Sequence, residues 1–217
     1  MDLNRLSSTI TEQLPDNTQV FDFHMYASNI QGELMTDVIG LPQLNGKRME
    51  DCDKTMAEME KDGTPLRRFM RPDFMPWQEY RKHVRRLNVW SSAYYLCYNL
   101  DPDRWDEWLF ANYPRYAERI RTHHRNIVQY CAQVARQRNI PIVCDEGGSL
   151  YYPPTNSQFE PSAVGRRMFE ENVEEMLANG FWGILISTYA FPGDPLWENH
   201  ADWLPKVNRW ITAGKKS

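Results

Sequence analysis

Between Ile140 and Thr188 two short apolar runs flank an amphipathic stretch, and few folds accommodate that arrangement. The runs are Ile140-Pro-Ile-Val-Cys144 and Phe181-Trp-Gly-Ile-Leu-Ile-Ser-Thr188. Neither alternates apolar with polar, as befits strands covered on both faces of a parallel sheet. Residues 163–179 place Val164, Met168, Phe169, Val173, Met176 and Leu177 at helical spacing. Ser162 precedes them as an N-cap and Asn179-Gly180 stops them. Strand, helix and strand in that order predict a right-handed crossover between parallel neighbours.

Upstream, Val20 to Tyr26 reads as a further strand, with Asp22, His24 and Tyr26 alternating with Phe23 and Met25. Residues 2–14 are weakly helical and end at Pro15-Asp-Asn, residues 27–47 are loop-like, and a charged helix is expected over 47–61. Residues 63–105 carry Pro65, Pro72, Pro76 and Pro102 among many aromatics. They read as an insertion with one helix around 76–98. Leu109, Tyr113, Tyr116, Ile120, His124, Ile127, Cys131 and Val134 then step by three or four, predicting a long helix over 106–138 with an interruption near Pro114. After a turn at Pro192 to Pro195, Asp202 caps a last helix whose inner face is Trp203, Leu204, Val207, Trp210 and Ile211. Only three strands are secure.

The chain has 217 residues, enough for one sizeable core. A net charge of -4 argues against a general nucleic-acid binder. Seven basic residues do fall within 67–86, interleaved with Phe69, Phe74, Trp77 and Tyr80. That outlines a single-strand nucleic-acid surface, but an amphipathic insertion with a solvated face describes it better, and no nucleic-acid partner is expected. The four cysteines form no CxxC pair, and His123 and His124 cannot share one helix face, so no metal and no cofactor are expected. No apolar stretch reaches membrane-spanning length. The N-terminus lacks a basic-then-apolar leader, which places the chain in the cytoplasm if Met1 is its true start.

In parallel α/β folds chemistry gathers at the carboxyl ends of the strands. The first strand ends in Asp22, His24 and Tyr26, the second in Asp145, Glu146 and Gly147-Gly148, and the third near Ser187, Thr188 and Tyr189. Glu146 follows a wholly apolar strand, so its carboxylate emerges at the boundary of core and solvent. It is the best candidate for a catalytic carboxylate. Asp145 alternates to the other face and reads as structural. His24 and Tyr26 lie two apart and share a side, where they can orient a carboxylate, with Asp22 one layer deeper. Trp197, Tyr151 and Tyr189 supply aromatic surface around the same rim.

These residues resemble a known family. Asp22-Phe-His-Met-Tyr26, Pro141-Ile-Val-Cys-Asp-Glu-Gly-Gly148 and the run from Gly180 to Trp197 resemble the last third of a clan A glycoside hydrolase barrel, most closely its sugar-binding, cellulase-like family. The resemblance covers about residues 15–30 and 105–213. It implies an α/β fold of the (β/α)8 type, of which this chain would hold the last three or so units. Residues 1–217 would form a single partial barrel domain with a helical insertion at about 40–105. It implies retaining hydrolysis of a β-linked carbohydrate. Glu146 would be the nucleophile, His24 and Tyr26 its supports, and Trp197, Asp22, Tyr151 and Tyr189 the substrate contacts. The Asn-Glu pair that carries the family's acid/base is absent. A non-catalytic carbohydrate-binding barrel, or a fragment that self-association or a partner chain completes, is the alternative expectation.

Overall fold

The computed structural model describes residues 14–26, 38–39, 49–83, 89–148, 156–186 and 195–213. In chain order its elements are β1 (Phe21–Tyr26), α1 (Met49–Met59), α2 (Pro65–Phe69), α3 (Trp77–His83), α4 (Val89–Asn99), α5 (Pro102–Arg138), β2 (Ile142–Gly148), α6 (Ala163–Ala178), β3 (Gly183–Ile186), α7 (Pro195–Asn199) and α8 (Trp203–Ala213). Two compact units divide the chain, one of residues 1–27, 115–149 and 160–217, the other of 28–114 and 150–159.

The first unit carries the sheet. Its strands are parallel and ordered β1-β2-β3. Backbone bonds from Phe21 N–H to the Pro141 carbonyl (2.8 Å) and from Trp182 N–H to the Ile142 carbonyl (2.9 Å) start the two ladders. One face of the sheet is apolar: Phe21 and Met25 of β1 and Ile142 and Cys144 of β2 are buried with Val128, Cys131, Ala132, Val134 and Ala135 of α5, Met176 of α6 and Phe181. Each large apolar side chain buried here contributes roughly 1.5–3 kcal/mol. A second cluster joins Phe169 and Val173 of α6 to Leu196 of α7 and to Trp203, Leu204, Val207 and Ile211 of α8. Phe169 meets Trp203 edge-on at 5.3 Å, and the Trp203 indole donates to Glu170 at 3.0 Å.

The opposite face of the sheet carries Asp22, His24, Asp145 and Leu185, all exposed. This overturns the expected barrel. In a (β/α)8 barrel one face of every strand points into a packed interior, and closure needs about eight tilted, staggered strands. Among the described residues three strands form an open sheet, and the face that would line the interior carries charged residues together with Leu185 and stands in water.

The helical segments differ from expectation in an instructive way. Residues 63–105 hold α2, α3 and α4 rather than one helix around 76–98. Three of the four prolines here stand at helix starts, whereas Pro72 lies in a turn. Pro65 opens α2 behind Thr64, whose hydroxyl accepts from Arg67 N–H at 3.3 Å. The Pro76 carbonyl accepts from the Glu79 and Tyr80 amides, and Pro102 opens α5 behind Asp101, which accepts from Asp103 N–H at 3.0 Å. Proline suits the first helical position because its missing N–H has no partner there anyway. Pro114, by contrast, lies inside α5, which runs unbroken from Pro102 to Arg138, and the division between the two units falls at this point of the chain. Helix α7 occupies a stretch read as turn and loop. The helix expected over residues 2–14 and the turn from Pro192 to Pro195 lie outside the described residues, apart from Leu14 and from Pro195, which opens α7. No helix among the described residues is long and apolar enough to cross a membrane.

The second unit is held by aromatic packing. Trp77, Tyr95, Leu96, Leu100, Trp105 and Leu109 are almost wholly buried, with Phe159. Charged partners ring this core: Glu60 accepts from the Trp77 amide at 2.7 Å and from the Tyr95 hydroxyl, and Asp53 accepts from the Trp77 indole at 2.9 Å and pairs with Arg81 at 2.8 Å.

Candidate functional site on the exposed face of the sheet

The site begins with an irregularity in β2. Against β1, Asp22 pairs with Val143 but His24 pairs with Glu146, so two residues of β2 face one of β1. Against β3, Cys144 pairs with Ile184 but Gly147 with Ile186, so again two face one. Asp145 is the residue extra to both pairings. A bulge of this kind re-aims side chains that strict alternation would send to opposite faces. Asp145 and Glu146 consequently both reach the imidazole of His24. His24 Nδ1 lies 2.7 Å from Glu146 Oε2, and His24 Nε2 lies 3.3 Å from Asp145 Oδ1. Both contacts are hydrogen bonds when the imidazole carries two protons, since an ionised carboxylate only accepts; a neutral imidazole donates one.

Asp22 completes the group. Its Oδ1 accepts from the Asp145 backbone N–H at 3.2 Å. Partial desolvation raises the Asp22 carboxyl above the usual carboxylate range, and the neighbouring Asp145 carboxyl adds to the rise; the Asp145 amide and His24 oppose it.

Below the bulge the backbone is tightly packed. Burial pushes the Cys144 thiol up to about 11, although the amides of Glu146 and Met25 face its sulfur and pull the other way. A Cβ added at Gly147 would stand 3.1 Å from Cys144 Sγ and 3.3 Å from the Met25 carbonyl oxygen. Glycine is needed there for space, because its φ is not in the left-handed region. We expect Gly147→Ala to lower stability by about 1–3 kcal/mol, as overpacking does, measured as a drop in the urea midpoint at constant slope. Adding Cys144→Ala removes one of the two close contacts and should return part of the loss.

Of the residues expected at the rim, the structure joins Glu146, His24 and Asp22. Tyr26 pairs through its backbone with Gly148, but its side chain lies outside what is described. Trp197 falls within α7 rather than on a loop, with its side chain likewise outside, and Tyr151 and Tyr189 lie outside the described residues. Asp145, expected to be structural, turns out to be a direct partner of His24. The pair Gly147-Gly148 was the available signal, since glycine inside a strand often marks a bulge. Among the described residues no set of three His, Cys, Asp or Glu side chains is placed to hold a metal ion.

No family model, no curated protein and no solved structure matches this chain. The implied glycoside hydrolase function does not survive the geometry. The roles of nucleophile and sugar contact belonged to the rim of a barrel, and the described residues form neither a barrel nor a carbohydrate cleft. Retaining hydrolysis and non-catalytic sugar binding by a barrel are both set aside with it.

Proposed function

We propose that the exposed face of the sheet is a proton-transfer site for a small polar molecule, with Glu146 as the group that takes and returns the proton. His24 holds Glu146 by one ring nitrogen and is held by Asp145 through the other. The observation that carries this reading is the His24 bridge between two carboxylates that a bulge has turned to one side. Side-chain exposures of 56% for His24 and 55% for Asp145 make the bridge a weak source of stability, worth about 0–1 kcal/mol for exposed pairs. Its consequence is therefore orientation. Glu146 is less open than its neighbours, at 33%, and only its Oε2 is engaged by His24 Nδ1, at 2.7 Å. Placement near the carboxyl ends of parallel strands agrees with where α/β sheets receive ligands.

A generic carbon acid tests the site without knowledge of the natural ligand. Ring opening of 5-nitrobenzisoxazole is triggered by removal of one C–H proton and is followed by the absorbance of the phenolate released. A positioned base accelerates such a step by about 100-fold or more. We expect turnover above that of buffer carboxylate, falling to background in Glu146→Gln and sharply reduced in His24→Ala, with circular dichroism unchanged in both. Equal rates in wild type and Glu146→Gln would remove the proposal.

A further inference from the structure

The extra residue of a bulge forfeits its ladder partner, and in β2 that residue is Asp145. Its amide is not left bare. The Asp22 carboxylate reaches across from β1 and accepts it, at 3.2 Å. Asp22 stands opposite Val143, just before the register slips, so its side chain meets the bulge where the backbone ladder fails. His24, two residues along the same strand, collects the two side chains that the bulge has turned. One short run of β1 thus supplies both a substitute acceptor for the displaced amide and the group that uses the displacement.

From this geometry we infer that Asp22 is a positioning residue: its carboxyl oxygen replaces the missing ladder acceptor, sets the bulge, and so delivers Asp145 and Glu146 to His24. The role is distinct from ligand contact and works through the backbone of the neighbouring strand. It requires a carbonyl-type oxygen at this position and does not require a charge. Asparagine presents the same oxygen at the same distance from the backbone, whereas alanine presents none. The inference rests on the acid–base reading for its meaning in function, but the bulge itself can be followed without any turnover.

The test compares Asp22→Asn and Asp22→Ala in the full chain by two readouts. The first is amide hydrogen exchange at Asp145, followed by nuclear magnetic resonance together with the ring signals of His24. In Asp22→Ala the Asp145 amide should exchange about tenfold faster, the ratio expected for one lost hydrogen bond, and the His24 ring signals should move. In Asp22→Asn both should return towards wild type. The second readout is the rate of 5-nitrobenzisoxazole opening, which should fall in Asp22→Ala and recover in Asp22→Asn. If Asp22→Ala leaves Asp145 exchange unchanged, or if Asn rescues no better than Ala, the positioning role is overturned. If exchange follows the expected order while wild type shows no turnover, the positioning role stands and the proton-transfer reading fails.

Discussion

Trp77→Ala is expected to cost about 3–5 kcal/mol, the range for removing a large buried aromatic. Trp77 is 1% exposed and contributes more than volume. Its ring meets Tyr95 edge-on at 5.2 Å and Tyr80 at 5.8 Å. Its indole N–H donates to Asp53 and its amide to Glu60. Alanine keeps the amide bond, opens a cavity between α1, α3 and α4, and takes from Asp53 one of its two partners, leaving Arg81. Trp77→Phe retains most of the ring surface and loses the indole donor, so it should cost a smaller share. Urea unfolding followed through the helical signal of the full chain distinguishes the two. A loss below about 1 kcal/mol for alanine would mean that this side chain is not central to its unit, since changes that small are typical of surface positions.

The second large effect centres on Asp106, a buried carboxylate in α5. It accepts from the Ser157 hydroxyl and from the Gln158 amide at 2.6 Å, and so fastens residues 157–159 to the start of the helix. Asp106→Leu should cost about 2–6 kcal/mol, because it strands two donors at about 1–3 kcal/mol each. Burial raises the Asp106 carboxyl above its ordinary range, although bonds from Ser157, Gln158 and Phe159 oppose the rise. The sign of the pH effect follows. Between the unfolded value, near ~3.9, and the raised folded value, the folded chain keeps a proton that the unfolded chain has lost. Stability therefore declines as pH rises through that window and is level above it. Asp106→Asn can accept from Gln158 with its oxygen and donate to Ser157 with its nitrogen. It should retain most of the stability and lose this decline. Urea midpoints for wild type and Asp106→Asn across the acid range, compared at matched ionic strength, measure the difference.

Neither of these sites stood out in the amino-acid sequence. Trp77 belonged to a stretch whose prolines obscured the helices, because a proline that opens a helix and one that breaks it look alike until its neighbours are placed. Asp106 was one acid among many on a helix, and its partners lie some fifty residues away. Other elements were plain. Ser162 and Gly180 bounded α6 as their local chemistry requires, the first by accepting from Gly165 N–H at 3.2 Å and the second by adopting a φ of 82°. The apolar runs became the parallel strands β2 and β3, but the expected cover on both faces did not follow: Trp182 and Leu185 stand in water at 66% and 60% exposure, because the helices of this unit bury one face of the sheet. The family resemblance failed for a related reason. Short strand-end motifs record what one strand needs locally, whereas barrel closure depends on how many strands pair and on what fills the space between them.

His24 and Glu146 were legible as residues poised at strand ends, because alternation and burial are local consequences of composition. Their union with Asp145 was not, since alternation predicts the opposite side for it. That outcome depends on one extra residue in β2, visible only when both neighbouring strands are in register beside it. Local sequence thus decided which segments became strands and helices, through side-chain burial and backbone capping. Tertiary pairing decided which carboxylates share an imidazole, because a bulge is a property of two strands matched against each other and of neither strand alone.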